Sequence, residues 1–196
     1  MRSNTGDRRW QAFLLPIVLL PVLFASASAG DLALFEAVET RGEGDWDGVT
    51  LPSGATVYIA RRPALVISME DIAAVEVSQR PVYQDAQGSI DHEIRERFGK
   101  NAGKEPSSRP IGHYYVITFT LRAGASKQFD SFASQNIRRK FELRLDNRHV
   151  GYVFLLGPSG GNLLAVPVPH HDESALRVLL SPLASRVTWK NRSGSN

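Results

Sequence analysis

Three groups of residues have types and spacing that bear on chemistry. Gly157-Pro158-Ser159-Gly160-Gly161 matches G-x-S-x-G, the pattern of a serine nucleophile exposed on a sharp strand-to-helix turn. With Ser159 as nucleophile and His170 or His171 and Asp172 downstream, the parts of a serine hydrolase are present on paper. That turn needs a helix directly after the serine, whereas the next stretch holds Val166, Pro167 and Pro169, so the motif reads as a glycine turn. His170-His171-Asp172 offers metal-ligand types. Adjacent histidines point different ways in most backbones, however, and the helical metal pair is spaced i, i+4. His92, His113 and His149 are scattered, so Asp172 reads as a helix N-cap with the two histidines in the loop before it. Glu93 and Glu96 have Arg95 and Arg97 as neighbours, the composition of a solvated charged face. Neither a P-loop nor a dinucleotide fingerprint occurs. The expectation is a protein with no catalytic residues, no cofactor and no metal.

Composition bounds the remaining classes. The chain has 196 residues, 42% hydrophobic and 22% charged, values close to globular averages and sufficient for a core without covalent staples. It has no cysteine, which removes disulfides, thiol nucleophiles, thiolate zinc sites and a bacterial lipoprotein anchor. Arg2, Arg8 and Arg9 precede the apolar run Ala12–Phe24, and Ala27-Ser28-Ala29 supplies small residues for cleavage. This is the pattern of a signal peptide, 1–29. The run is shorter than the roughly 20 residues of a spanning helix, and Pro16 and Pro21 interrupt it. The Arg8-Arg9 pair raises the twin-arginine route, but Trp10, Gln11 and Ala12 fit that motif poorly. The expectation is a periplasmic protein with no transmembrane segment after cleavage. Three arginines and Asp7 leave with the signal, taking the formal charge from +3 to +1. Near-neutrality argues against nucleic acid as a partner. The one dense basic run, Arg138-Arg139-Lys140, falls at an expected helix end, where cations complement the helix dipole.

The elements follow from periodicity. Residues 30–54 read as a Gly/Asp/Glu-rich lead-in with a short helical piece at most, and 55–189 as one domain. Ala55–Ala60 reads as a strand, Ser68-Met69-Glu70-Asp71 as a capping box opening a short helix, and Val75–Tyr83 as a strand with an edge at Pro81. Residues 84–112 form a polar excursion in which Ile90, Ile94 and Phe98 recur every four residues, one face of a two-turn helix. His113–Leu121 is a strongly β-forming run. Phe129, Phe132, Ala133, Asn136 and Ile137 recur at helical spacing, placing a helix near 124–139. Phe141–Leu145 alternates, Asp146-Asn147 is a tight turn, and Val150–Leu156 returns as the hairpin partner. A strand at Leu163–Val168, a leucine helix capped by Asp172 and a strand at Arg186–Trp189 follow, with 190–196 a frayed tail. Hairpins mixed with helices, without regular βαβ alternation, indicate an α+β fold with helices packed on a largely antiparallel sheet.

From Val116 to Val150 the order VITFTL, a helix with Phe129 and Asn136-Ile137, then RRKFELRLDNRHV resembles the head subdomain in the first periplasmic domain of the SecD family. Arg61-Arg62-Pro63-Ala64-Leu65, Met69-Glu70-Asp71-Ile72 and Gly160-Gly161 extend the resemblance over roughly 57–183, without the excursion. Arg138 stands where that family commonly has a helix-ending Gly, Asn147 where it has a turn Gly, and Gly151-Tyr152-Val153 where it has Ser-Ala-Pro. The resemblance implies a head-subdomain fold and a surface that handles polypeptide in protein export. The family's proton coupling belongs to transmembrane helices. The expected partner is therefore an envelope or exported protein or peptide, with Ile90, Ile94 and Phe98 as the expected contact residues. An envelope-assembly or scaffold role is the alternative, and a hydrolase built on Ser159 with His170 or His171 is the reading from another class.

Overall fold

The computed structural model describes residues 31–51, 53–84, 109–158, 161–168 and 172–190. The segment read as lead-in contains two strands, β1 (Leu32–Val38) and β2 (Trp46–Thr50). They are followed by β3 (Thr56–Ala60), β4 (Leu65–Ile67), β5 (Ile72–Tyr83), β6 (Pro110–Leu121) and helix α1 (Ala123–Gln135). Then come β7 (Lys140–Leu145), β8 (Arg148–Phe154), β9 (Leu163–Val168), helix α2 (Glu173–Leu179) and β10 (Val187–Lys190).

The strands form two sheets where the sequence suggested one. A six-stranded sheet runs β2-β3-β1-β7-β8, with β4 pairing the other end of the β1 edge that β3 uses; a four-stranded sheet runs β10-β5-β6-β9. All pairs are antiparallel except β5 with β10. The mixture of mostly antiparallel strands and a few helices is α+β.

β1 escaped the sequence reading because both of its faces are buried. Leu32 and Leu34 enter the main core, while Ala33, Phe35 and Ala37 join Val57 and Ile59 in a second cluster on the opposite face. A strand covered on both sides has no polar alternation to betray it. Ser68 acts as an N-cap, its side chain accepting from the Glu70 N–H, but the segment expected to be a capping box and short helix is only a 3-10 turn, Met69–Asp71, and β5 starts at once after it. Pro81 lies beyond the stretch of β5 that pairs with β10 (Val75–Ser78), so the missing N–H falls on an open edge.

The main core lies between the sheets and under the helices: Ile72, Val75 and Val77 of β5, Ile117, Phe119 and Leu121 of β6, Phe141, Leu143 and Leu145 of β7, and Leu164, Val166 and Val168 of β9. Helix α1 adds Ala125, Phe129 and Ala133, and the C-terminal region adds Leu176, Leu179, Leu180 and Leu183. Phe132 is partly buried and meets Phe141 edge-on, with ring centroids 5.0 Å apart. His113–Leu121 and Phe141–Leu156, expected to form one sheet beneath these rings, belong to different sheets, and α1 packs where the two approach.

Helix α1 stops at Gln135 rather than 139. The Asn136 side chain donates to the Phe132 carbonyl at 2.8 Å, and Arg138 turns into the left-handed region at φ 65°. Arg139 pairs with Glu36 of β1 and donates to Asn136 at 2.9 Å, so this cation ties helix end to sheet. Asp172 caps α2 as expected, accepting from the Ala175 N–H at 2.7 Å. At the other end of α2, Arg148 donates to the carbonyls of Val178 and Leu179, both at 3.1 Å, linking the helix C-terminus to β8.

Candidate functional site

The β7–β8 hairpin carries the one charged side chain buried among the described residues, Glu142, 5% exposed. Two features of the hairpin build the site. Asp146 and Asn147 both have positive φ (51° and 58°), closing a two-residue turn that pairs Leu145 with Arg148 and Arg144 with His149. A bulge then shifts the register, so Leu143 faces Gly151 and Glu142 faces Tyr152. His149 and Tyr152, three residues apart, consequently share a face, which strict alternation forbids.

On that face both oxygens of Glu142 are occupied. Oε1 lies 2.8 Å from His149 Nδ1, and Oε2 accepts from Arg144 Nε at 2.9 Å and pairs with Nη2 at 2.7 Å. Burial pushes the Glu142 carboxyl upward, but the hydrogen bonds from His149 and Arg144 and their charges prevail and hold it below the ordinary range. Burial raises the Tyr152 phenol, and the Glu142 charge raises it further, against Arg144. The cations in turn lie on rings: Arg144 sits 4.5 Å from the Phe35 centroid and Lys140 Nζ 4.7 Å from that of Tyr152. The His149 and Tyr152 rings are 5.1 Å apart.

This arrangement holds positions rather than moving protons. A carboxylate with both oxygens committed, and with its ionised form favoured, is a poor general base. Its effect is to fix Arg144 and His149 on the sheet surface. Beside them the β8 row continues outward through Tyr152, Phe154 (57% exposed) and Leu156 (81% exposed). Lys140 stands opposite Phe154 in the ladder. The surface combines large exposed apolar side chains with cations.

Glu142→Gln is expected to destabilise the protein by about 1–3 kcal/mol at neutral pH, because the neutral amide gives up the charge-assisted bonds and offers Arg144 and His149 one acceptor oxygen in place of two. The pH dependence has a definite sign. A carboxyl held lower in the folded state contributes stability above its unfolded value, ordinarily near about 4.3, and loses it as pH falls through the folded value. Denaturant titrations should therefore show the wild type losing its advantage over Glu142→Gln in acid. Parallel acid profiles would mean that Glu142 carries no such linkage.

The expected contact residues Ile90, Ile94 and Phe98 lie outside the described residues. The strands flanking them are described: Tyr83 pairs with Pro110 at the end of the β5–β6 ribbon, so strand extends through 110–112, which the sequence reading had given to the excursion. Ser159, His170 and His171 also lie outside the described residues. The segment after the serine is the strand β9, where a nucleophile elbow requires a helix. Among the described residues no three His, Asp or Glu side chains come together as metal ligands, and no helix is long and apolar enough to cross a membrane.

No protein-family model matches the chain, and no curated protein matches it. Among solved structures it is similar to the crystal structure of SecDF in its super-membrane-facing form, with 14% identity and a TM-score of 0.31, over 78% of this chain. A structure of SecDF described as a membrane component that enhances protein export gives 15% identity and a TM-score of 0.31, over 77% of this chain. The chain spans 28% of the length of the first and 92% of the second. Likeness at this level transfers neither a residue nor an activity.

Proposed function

We propose that this chain is an exported, non-enzymatic domain that binds extended polypeptide in the cell envelope through the β7–β8 face. The observation that carries the reading is the row Tyr152, Phe154 and Leu156, increasingly exposed along β8 and beyond its end, lying beside the cations of β7. Exposed apolar groups placed in line on a rigid sheet match the side-chain repeat of an extended chain, and a buried ion cluster beneath them keeps the platform fixed. The signal-like segment 1–29 and the resemblance of 116–150 to a periplasmic export subdomain favour polypeptide as the partner and the periplasm as the compartment.

The test is the affinity of the full chain for a permanently unfolded, carboxymethylated polypeptide, read by fluorescence anisotropy. The double variant Phe154→Ser, Leu156→Ser should bind about tenfold more weakly, the effect of losing one or more anchor contacts. Its melt should stay near that of the wild type, because both side chains are exposed in the unbound domain. Unchanged affinity with an unchanged melt would remove this face from the function.

A further inference from the structure

We propose that the β7–β8 face selects polypeptide segments that carry acidic as well as apolar side chains; this rests on the polypeptide-binding reading above. The charge account of the face is unequal. Arg138, Lys140 and Arg144 are cationic, and His149 stands beside them. The carboxylate among them, Glu142, is buried with both oxygens already taken by Arg144 and His149. Glu36, which pairs with Phe141 and so lies on the other face of the sheet, is committed to Arg139. Among the described residues no carboxylate pairs with Arg138 or Lys140. Lys140 Nζ rests 4.7 Å from the Tyr152 ring centroid, on the same face as the exposed row.

The two uncommitted cations lie next to the exposed apolar row. Lys140 faces Phe154 in the ladder, and the backbone of Arg138 donates to the Leu155 carbonyl at 2.7 Å, which places it alongside Leu156. Adjacent strands are about 4.8 Å apart and alternate residues about 7 Å apart. A segment laid along the hairpin therefore reaches an apolar contact and a cation within one side-chain length of each other. An aliphatic or aromatic side chain is received by Phe154 and Leu156, and a neighbouring carboxylate by Lys140 or Arg138. Basic segments are disfavoured, because on this face the described residues present cations whose one carboxylate, Glu142, is already taken. The two cations act at the rim, so their contribution is screened by salt.

Isothermal titration of the full chain with three short peptides tests this. All share the same Leu and Phe positions, and the intervening positions are Glu, Ser or Lys. The Glu peptide should bind about tenfold more tightly than the Ser peptide at low ionic strength, the Lys peptide more weakly than both, and high salt should bring the three together. Arg138→Gln with Lys140→Gln should abolish the preference for Glu over Ser, the two peptides then binding equally; a preference that survives in this variant overturns the assignment to these two cations. Equal binding of all three peptides overturns the selectivity and leaves polypeptide binding standing. Binding of none overturns the reading beneath it as well. A single-stranded oligothymidylate that binds more tightly than the Glu peptide would make the face a general polyanion surface and overturn the assignment to polypeptide.

Discussion

Phe129→Ala should destabilise the domain by about 3–5 kcal/mol, a large part of the roughly 5–15 kcal/mol that holds a domain of this size together. The ring is 4% exposed and sits in the main core, on the face of α1 that also buries Ala125 and Ala133. With two alanines as its neighbours on the helix, Phe129 is the large side chain through which α1 holds to the sheets. Its removal leaves a cavity that neither alanine can fill. Phe132 is the internal comparison. It is partly buried and packs edge-on against the buried Phe141, so Phe132→Ala should cost less. Chemical denaturation of the two variants checks this. A Phe129→Ala midpoint near the wild type, or one above that of Phe132→Ala, would mean that the helix uses another face.

Gly151→Val should cost about 1–3 kcal/mol or more, through overpacking rather than loss of contact. A Cβ at Gly151 would lie 2.8 Å from the Pro167 carbonyl oxygen and 2.9 Å from Val166 Cγ1. One of these is backbone, so no side-chain rotation relieves the clash; β8 and β9 would have to separate. They are strands of different sheets, and their approach at Gly151 is where the two layers close on each other. Gly124, on α1, is the contrast, since nothing lies within 4 Å of the Cβ position there. Gly124→Ala, in the first turn of α1, should leave the midpoint at or slightly above that of the wild type. Equal midpoints for Gly151→Val and the wild type would show that the layers do not meet there.

Local chemistry was sufficient for much of this protein. The strand at His113–Leu121, the helix carrying Phe129, the Asp146-Asn147 turn, the strand at Leu163–Val168 and the Asp172 cap each depend on a few adjacent residues. Propensity, amphipathic spacing and hydrogen bonding to the nearest backbone act at that range. The absence of cysteine and the signal-like N-terminus are likewise properties of composition and order alone.

Tertiary structure decided the rest. That β1 is the inner strand of a sheet depended on Ala33, Phe35 and Ala37 finding Val57 and Ile59, which makes an acidic-looking segment apolar on both faces. That the strands divide into two sheets depended on the crossing of β8 over β9, for which Gly151 is required but not sufficient. The candidate site has a similar origin. Glu142 and Arg144 lie on one face of an alternating strand and His149 follows a legible turn, so regular pairing would have set Glu142 opposite Gly151. The bulge between Leu143 and Arg144 moves Tyr152 into that place and joins His149 and Tyr152 on one surface. An inserted residue in a ladder is stabilised by what each strand packs against. The grouping of Glu142, Arg144, His149 and Tyr152 is therefore a consequence of the assembled sheets rather than of the hairpin's own sequence.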